Sequence, residues 1–385
     1  MTQGDSSPYI AVASMAPDDA TTAIFFRNLA DRAPLRIVSS SVGALTHARH
    51  AGRAISAVAS TLAGASALIL VRSLLEFGNL SSCARWLGIP RYYFTDDNFM
   101  MLREEAVDDS HWYGAYSVGR VRHALGDFSG VLLATPTLLD YFDRERLHDR
   151  TLHYPPIAGP LLDRGPRREP EVLTVGFFGG HHRRDAFLEY VYPALRRWAE
   201  QRDVRLVAAG FDARQVPSTG RLQVVALPYN GHYSDALHEL GSHSIDVLVH
   251  PGRRTGHHHA FKNTHVIVNA HALGAVPIFS RIPPYDAIGD DRVALLCENS
   301  AEAWYEALAR VASNPALREA IRSRMAEYCA THFGGARNLE VMSMLLRDHP
   351  RPTAATRTAR LLSGAAFRGL GLGHQLMARS FKRLA

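Results

Sequence analysis

The segment around Lys262 holds the side chains best suited to binding an anion. Lysine is rare in this 385-residue chain, because only two of its 43 basic residues are lysines. The pattern predicts a strand that ends at His250, a polar loop over 251–259 and a helix that begins just before Lys262. Lys262 and Asn263 would then lie in the first helical turn, where backbone amides and the helix dipole favour phosphate. Thr264, the next residue, is a further candidate for donor binding.

Asn269 follows Lys262 by seven residues, or two helical turns. The two side chains would share one face of the helix, roughly 10 Å apart along its axis. This face would offer a cation to a phosphate and an amide to a sugar hydroxyl. The alternative is that Lys262 is ordinary surface charge, since lysine and arginine interchange freely on a solvated surface and poorly at a tight anionic site.

A second candidate anion site follows the predicted strand Val172–Phe178. Gly179 and Gly180 would let backbone amides approach an anion, and Arg183 and Arg184 could clamp a diphosphate. The turn lacks the G-x-G-x-x-G pattern. Dinucleotide binding is therefore not predicted.

Two carboxylates, Asp96 and Asp97, follow another predicted strand, Arg91–Thr95. At the carboxyl end of a strand they could orient or deprotonate an acceptor hydroxyl, which is the work of a general base. The alternative is that they cap the next helix. The nearby segment 111–113, His-Trp-Tyr, could stack on a sugar or simply pack in the interior.

The three consecutive histidines at 257–259 do not predict a metal site. Adjacent histidines rarely converge on one ion, and no carboxylate or cysteine accompanies them at ligand spacing. We interpret them as part of a polar loop that lines a cleft, and we expect neither a metal nor another cofactor. The cysteines are few, odd in number and widely spaced, which fits a reducing cytosol: Cys83, Cys297 and Cys329.

Alternating apolar runs and helical segments predict an α/β protein with two Rossmann-like, parallel-sheet domains and a cleft between them. The predicted strands are Tyr9–Ala13, Leu35–Ser39, Ala67–Val71, Arg91–Thr95, Val131–Ala134, Val172–Phe178, Val204–Ala209, Leu222–Ala226, Asp246–His250, Pro277–Phe279 and Val293–Leu296. The predicted helices are 22–32, 47–62, 76–87, 112–125, 185–201, 233–241, 261–273, 301–311, 315–332 and 336–346.

The predicted domain boundaries follow from these elements and from a proline-rich stretch that cannot form helix or central strand. They are 1–158 for a first Rossmann-like domain, 159–170 for the linker, 171–334 for a second Rossmann-like domain, 335–350 for a C-terminal helix and 351–385 for a basic tail. The charge-free stretch 54–71 meets the lower length limit for a membrane span. We interpret it instead as a helix that ends near Gly64 and a buried strand from Ala67 to Val71.

The high pI of the chain arises from the basic residues of its tail. Residues 349–385 contain seven lysine or arginine residues and no acidic residue. The net charge of the whole chain is +6, so the other residues together carry a net charge of −1. A nearly neutral body argues against nucleic-acid binding. The tail suits an anionic membrane surface, so we expect a cytoplasmic protein that is peripheral on the inner face of the membrane. A frayed tail without a partner is the alternative.

Several motifs in the second half form a recognisable series: Val175–Gly179 before the two arginines, Phe261–Asn263, Asn269–Pro277, Ile282–Tyr285, Cys297–Asn299 and Ala303–Leu308. The series resembles the second domain of GT-B glycosyltransferases, in particular bacterial family-4-like enzymes that build surface polysaccharides. Those enzymes carry a V-G-F-x-G strand, an A-K-S block, E-x-x-A-x-G-x-x-P, I-P-P-Y and L-V-x-N followed by W-x-x-A-L. In the first half, 87–90, 93–99 and 134–136 are similar to their L-G-I-P, D-D-x-F and S-T-P segments.

The resemblance implies transfer of a sugar, with retention, from a nucleotide-diphosphate donor to a glycan, glycolipid or other hydroxyl acceptor. The cations at Arg183, Arg184 and Lys262 and the amides around 179–180 and Asn263 would neutralise the leaving diphosphate. Asn269 would contact the ribose, and Tyr229 would lie near the base.

This chain departs from the family pattern at Asn269, where the family usually has a glutamate that holds the ribose hydroxyls. A charge-assisted hydrogen bond contributes about 1.5–3 kcal/mol, against about 1 kcal/mol for a neutral one. Two alternatives therefore stay open. One is a nucleotide-sugar epimerase of the same fold, and the other is a non-catalytic binding or scaffold protein derived from it.

Overall fold

The computed structural model describes residues 8–38, 62–105, 114–162, 172–179, 181–253, 256–288, 292–350, 352–353, 356–358 and 360. Several predictions fall on other residues: nearly all of the helix over 47–62, the segment 111–113, Gly180, and most of the linker and tail. The chain divides into two compact units. Unit 1 comprises Met1–Pro17, Phe25–Pro155 and Ala336–Ala385, and unit 2 comprises Asp18–Ile24 and Pro156–Gly335.

The described residues of unit 1 form a sheet of six parallel strands. They are β1 (Ile10–Ser14), β2 (Leu35–Val38), β3 (Ala67–Val71), β4 (Arg91–Thr95), β5 (Gly130–Leu133) and β6 (Thr151–His153). Their order in the sheet is β2-β1-β3-β4-β5-β6. Five of them coincide with predicted apolar runs. The sixth, β6, was missed because it is only three residues long and two of these are polar.

Helices cover this sheet. The described ones are Gly78–Trp86, Phe99–Glu104, Val118–Leu125, Pro136–Arg144 and Ala336–Asp348. Phe99–Glu104 and Pro136–Arg144 were not predicted. Pro136–Arg144 begins with a strong local signal, because Pro136 occupies the first turn and the Thr135 hydroxyl accepts a hydrogen bond from Leu138 N at 3.1 Å.

The C-terminal helix Ala336–Asp348 belongs to unit 1, although it follows the whole of unit 2 in the chain. The Asn338 side chain is fully buried and donates to the Pro155 carbonyl at 2.9 Å. Asp348 forms an ion pair with Arg150 at 2.6 Å, and His349 Nε2 lies 2.8 Å from the Tyr92 hydroxyl. These contacts join the C-terminal helix and His349 to strand β4 and to residues on either side of β6.

The start of the tail is also attached to unit 1, through Arg360. Its guanidinium donates to four backbone carbonyls: Leu87 at 2.8 Å, Ala65 at 3.0 Å, Gly88 at 3.2 Å and Ala63 at 3.3 Å. Burial lowers the pKa of Arg360 from its ordinary value. One of the seven cations assigned to the membrane-binding tail is therefore used inside the protein.

Unit 2 contains a second sheet of six parallel strands among its described residues. They are β7 (Leu173–Phe177), β8 (Val204–Ala209), β9 (Leu222–Leu227), β10 (Val247–His250), β11 (Val276–Ser280) and β12 (Leu295–Cys297). Their order is β12-β11-β10-β7-β8-β9, so the direction of the chain through the sheet reverses between β7 and β10. Ligands of open parallel sheets bind at the carboxyl ends of the strands at such a reversal.

The helices of unit 2 lie on both faces of its sheet. Those of the described residues are Ala20–Phe25, whose last residue falls in unit 1, and His181–Ala186, Tyr192–Ala199, Tyr233–Ser242, Val266–Ala272, Ala301–Ser313 and Pro315–Phe333. A single π-helical turn, Phe187–Val191, joins the second and third of these. Two apolar clusters, one on each face of the sheet, form the core.

The helix predicted over 261–273 is shorter than expected, and the placement of Lys262 and Asn263 in its first turn is wrong. Residues His257–Phe261 form a 3₁₀ helix, Lys262 is extended, and the α-helix begins only at Val266. The break has a local cause, because Asn263 Oδ1 accepts a hydrogen bond from His265 N at 2.8 Å. Asparagine side chains that bond to the backbone in this way compete with helix formation.

The stretch tested for a membrane span has the interpreted structure where it is described. Residues 62–64 end a helix, and the buried strand β3 starts at Ala67. Within the described part of the chain, every helix is too short or too polar to cross a bilayer.

Candidate functional site

A pocket of about 320 Å³ lies at the carboxyl edge of the unit 2 sheet, where the strand order reverses. Gly179, after β7, and His250, at the end of β10, both line it. The other lining residues come from loops and helices at the same edge: Asp19, Ala20, Phe178, Arg183, Ala209, Gly210, Leu227, Pro228, Tyr229, Asn230, Gly231, Tyr233, Ala236, Glu239, Lys262, Asn263, His265, Val266, Asn269 and Tyr285. Residues that are up to 266 positions apart (19 and 285) thus share one cavity.

Two cations, Arg183 and Lys262, line this pocket, as the sequence predicted for a phosphate site. Arg183 Nη1 donates to the Pro251 carbonyl at 3.4 Å, and the guanidinium also contacts the Tyr285 hydroxyl. No carboxylate of the described residues forms an ion pair with Arg183. Its positive charge is therefore not cancelled locally and remains available to an anionic ligand.

The position of Arg183 depends on a glycine. A Cβ atom at Gly252 would lie 2.2 Å from Arg183 Nη1 and 2.7 Å from a methyl carbon of Ile282. Both distances are shorter than any real contact. A side chain at this position would therefore displace the guanidinium from the pocket wall.

A ring of hydrogen bonds holds the turn that follows His250. Gly252 N donates to the Ser280 hydroxyl at 2.9 Å, which donates to Asn299 Oδ1 at 2.6 Å. Asn299 Nδ2 returns a bond to the Gly252 carbonyl at 2.7 Å. Ser280 is fully buried at the end of β11. Sequence analysis missed this brace, although Asn299 lies in a segment that was singled out for its family resemblance.

Asn269 lines the pocket, and its orientation is fixed by Tyr233. The Tyr233 hydroxyl donates to Asn269 Oδ1 at 2.6 Å. Burial raises the pKa of Tyr233, so the hydroxyl stays protonated and keeps its role as donor. With Oδ1 occupied, the amide has its Nδ2 hydrogens left for a ligand, whereas a carboxylate could only accept.

Only some of the other residues predicted to bind the donor line the pocket. Tyr229 lines the pocket and is 74% exposed, so its ring is open to a ligand. Gly179 and Asn263 line the pocket as well, but Thr264 does not. Arg184 is not part of the lining either, because its guanidinium lies over the Phe211 ring, 5.6 Å from the centroid.

His250 is a pocket residue that sequence analysis treated only as the end of a strand. It is 6% exposed, and its ring packs edge-on against Tyr285 and Phe279 with centroids 5.4 and 6.0 Å apart. Burial, together with the positive charge of Arg183 and the neighbouring His265, lowers the pKa of His250 well below its ordinary value. The neutral imidazole is therefore favoured near pH 7.

The predicted general bases, Asp96 and Asp97, lie in unit 1 and are held by Arg72. Arg72 Nη2 lies 2.9 Å from Asp97 Oδ2, and Arg72 Nε lies 3.3 Å from Asp96 Oδ1. Both aspartates are buried. Each carboxylate is therefore held in place by a cation of its own unit.

Arg72 itself has a strained backbone, and two tyrosine hydroxyls contact its carbonyl. Arg72 follows β3 and has a φ of 62°, in the left-handed region that side chains rarely adopt. Its carbonyl accepts hydrogen bonds from the hydroxyls of Tyr93 at 2.9 Å and Tyr116 at 3.2 Å. Strained residues concentrate at functional sites. The predicted capping role falls to the next residue, since Asn98 Oδ1 accepts from Met101 N at 3.1 Å.

The histidines at 257–259 form the 3₁₀ helix rather than a polar loop. His258 and His259 are buried, with ring centroids 4.2 Å apart. Among the described residues there is no group of three or more histidine, cysteine or acidic side chains that could hold a metal ion.

Comparison with known proteins gives similarity at the level of fold. No protein-family model matches the chain, and no curated protein matches it. Sucrose-phosphate synthase from Thermosynechococcus elongatus superposes with a TM-score of 0.61 at 12% identity, over 89% of this chain and 98% of that one. HepE from Anabaena, in complex with UDP and glucose, gives 0.56 at 14% identity, over 88% and 99%.

A third structure, a mutant of S. aureus TarM in complex with fondaparinux, alpha-GlcNAc-glycerol and UDP, gives a TM-score of 0.52 at 14% identity. The match covers 77% of this chain and 59% of that one. With its two parallel six-stranded sheets, the chain has the GT-B fold of glycosyltransferases. The predicted fold is confirmed.

Proposed function

We propose that this protein is a glycosyltransferase whose donor, a nucleotide-diphosphate sugar, binds in the pocket of unit 2. One observation carries the proposal: at the strand-order reversal of a GT-B sheet, a single pocket combines Arg183 and Lys262 with an exposed aromatic ring at Tyr229. A nucleotide-diphosphate sugar needs both features, cations for its phosphates and a flat surface for its base. HepE, which has the same fold, was crystallised with UDP-glucose.

In this proposal the diphosphate lies against Arg183 and Lys262. Its negative charge grows as the bond to the sugar breaks, and fixed cations in a partly enclosed site stabilise that charge more than water does. The backbone around Gly179 can approach the same group, because glycine leaves the amide uncovered. Arg184 is left out of this role, since its side chain does not line the pocket. No metal or other cofactor is invoked.

We assign the nucleoside to the side of the pocket that holds Tyr229 and Asn269. The Tyr229 ring would stack on the base, as exposed aromatic rings do with planar ligands. Asn269, turned by Tyr233, would donate to a ribose oxygen. The family pattern has a carboxylate at this position, and this chain has a neutral amide. We therefore expect the hydrogen bond to the ribose to contribute less to donor affinity than it would with a glutamate.

The acceptor is proposed to be a glycan, a glycolipid or another hydroxyl compound bound by unit 1, with retention of anomeric configuration, as the family resemblance implies. Asp96 and Asp97 would orient or deprotonate the acceptor hydroxyl, from positions that their ion pairs with Arg72 fix. The tail beyond Arg360 would bind the anionic inner face of the membrane, and the product would enter a surface polysaccharide.

A donor screen tests the proposal. Calorimetry of the full chain with UDP, GDP, UDP-sugars and GDP-sugars would identify the nucleotide, and mass spectrometry after incubation with a hydroxyl acceptor would detect the added sugar. We expect binding of at least one nucleotide and loss of that binding in Lys262→Ala at unchanged stability. A wild-type protein that binds none of these compounds would contradict the proposal.

A further inference from the structure

His250 occupies a position in the pocket that the proposed donor contacts do not explain. It ends β10, next to β7 in the sheet, and therefore lies at the strand-order reversal itself. The ring is 6% exposed and borders the pocket. The polar group it carries is thus nine-tenths buried at the point where the pocket meets the sheet.

The Nδ1 atom of His250 has no hydrogen-bond partner among the described residues. Its ring neighbours are the aromatic rings of Phe279 and Tyr285, which offer packing but no acceptor for Nδ1. An unsatisfied buried polar atom costs about 1–3 kcal/mol, and proteins rarely keep one without a use. Nδ1 is also shielded from solvent, so a ligand in the pocket would reach the imidazole at the edge of the ring that borders the cavity.

The charged groups around His250 determine whether its imidazole is neutral or protonated. The positively charged neighbour is Arg183, from the helix His181–Ala186, and the titratable neighbours are His265, which precedes Val266–Ala272, and Tyr285. Lys262 adds a second cation to the same pocket. Two carboxylates, Asp19 and Glu239, line the pocket as well. Burial and the positive charge of Arg183 both favour the neutral imidazole when no donor is bound.

An entering diphosphate reverses this balance. Its negative charges offset the two cations and supply acceptor oxygens, and both effects favour the protonated imidazolium. We propose that His250 hydrogen-bonds to the diphosphate of the bound donor and takes up a proton from solvent as the donor enters. The imidazolium would then act as a third cation against the leaving diphosphate. This inference rests on the proposed function, because it needs a diphosphate in this pocket.

The proton uptake makes donor affinity depend on pH. The complex would hold up to about one proton more than the separate protein and ligand. Affinity should therefore rise as the pH falls, by at most about tenfold per pH unit. The rise would occur between the pKa of His250 in the complex and its lowered pKa in the empty pocket.

Calorimetry can count the protons. UDP-glucose is the probe, because its diphosphate does not titrate near neutral pH. It is titrated into the full chain near pH 6.5 in two buffers that differ in ionisation enthalpy, and the difference in heat gives the number of protons taken up. We expect substantial uptake by the wild type. We expect almost none by His250→Gln, which keeps a polar side chain without the titration, and an affinity lower by about tenfold or more.

Two further variants separate His250 from other histidines. His271→Gln is the matched control, because burial also lowers the pKa of His271 but that residue does not line the pocket. It should leave both the uptake and the affinity unchanged. His265→Gln removes the other titratable histidine of the pocket and should leave most of the uptake in place.

The outcomes are distinguishable from failure of the proposed function. If the wild type binds UDP-glucose and His250→Gln takes up as many protons as the wild type, the inference about His250 is wrong while donor binding stands. Uptake that vanishes in His265→Gln instead would overturn it in the same way. If the wild type binds neither UDP-glucose nor UDP, the proposed function fails for uridine donors and the inference falls with it. His250→Phe, which preserves the ring packing, guards against a folding defect in the glutamine variant.

Discussion

Arg72 in unit 1 and Arg183 in unit 2 each lie at the carboxyl edge of a parallel sheet, but their partners differ in charge. Arg72 is paired with two aspartates at 2.9 and 3.3 Å. Arg183 contacts a carbonyl and a tyrosine hydroxyl, and no carboxylate of the described residues pairs with it. The first cation is neutralised by its own protein and stabilises a local structure. The second keeps its charge for a ligand.

The largest effect should follow removal of the second cation. Arg183→Ala should lower nucleotide affinity and turnover by about 100-fold or more, because a fixed charge against the diphosphate is lost. Isothermal calorimetry and initial rates measure the two quantities. Arg184→Ala is the matched control and should change both by less than about threefold, since Arg184 lies over Phe211 outside the pocket. Equal losses in the two variants would refute the assignment.

Removal of the first cation should affect folding instead. Arg72→Met leaves two buried aspartates without this partner, which should lower the free energy of unfolding by about 1.5–3 kcal/mol. Urea denaturation monitored by circular dichroism measures the change. Nucleotide affinity should stay within about twofold of the wild type. A large loss of affinity at unchanged stability would show that the distinction between the two arginines is mistaken.

Arg360 provides a third case, a cation whose hydrogen-bond partners are backbone carbonyls and which does not line the pocket of unit 2. Arg360→Ala should lower the free energy of unfolding by about 1–2 kcal/mol, because hydrogen bonds to the 63–65 and 87–88 segments are lost.

Deletion of residues 361–385 keeps these bonds and should leave the stability unchanged while reducing binding to anionic liposomes. Equal liposome binding by the full and shortened chains would argue against a membrane-binding tail.

The smallest effect should come from the ribose side of the pocket. Tyr233→Phe removes the hydroxyl that orients Asn269 and should weaken nucleotide binding by about fivefold, equivalent to about 1 kcal/mol. Asn269→Glu offers the opposite test, because a carboxylate can accept from both the tyrosine and the ribose. Tighter UDP binding by Asn269→Glu would support the ribose contact. An unchanged affinity in both variants would place the ribose elsewhere.

Much of the fold was predictable because buried parallel strands are continuous apolar runs. All eleven predicted strands overlap observed ones, and β6 was missed for want of such a run. The helix at 261–273 was predicted too long, because apolar periodicity does not reveal that the Asn263 side chain bonds to the backbone two residues later. A local hydrogen bond between a side chain and the backbone therefore decided where this helix begins.

The site was predictable only in part. Cations and amides near turns were found from residue type, but Arg72, Ser280 and His250 were not. Their roles depend on partners far apart in sequence: Arg72 pairs with residues 24 and 25 positions later, and Ser280 bonds to Gly252 and Asn299. A polar residue at the end of a buried strand is the signal that all three share.

Neither unit consists of one continuous stretch of chain. Unit 2 takes in Asp18–Ile24, where the Asp18 carbonyl accepts from Tyr233 N at 2.8 Å, and unit 1 takes in the helix Ala336–Asp348. During synthesis unit 1 therefore cannot be completed until the helix Ala336–Asp348 has left the ribosome. If the chain were expressed as two fragments divided within the proline-rich linker, each fragment would lack a segment of its own unit. The first would lack the helix Ala336–Asp348, and the second would lack Asp18–Ile24.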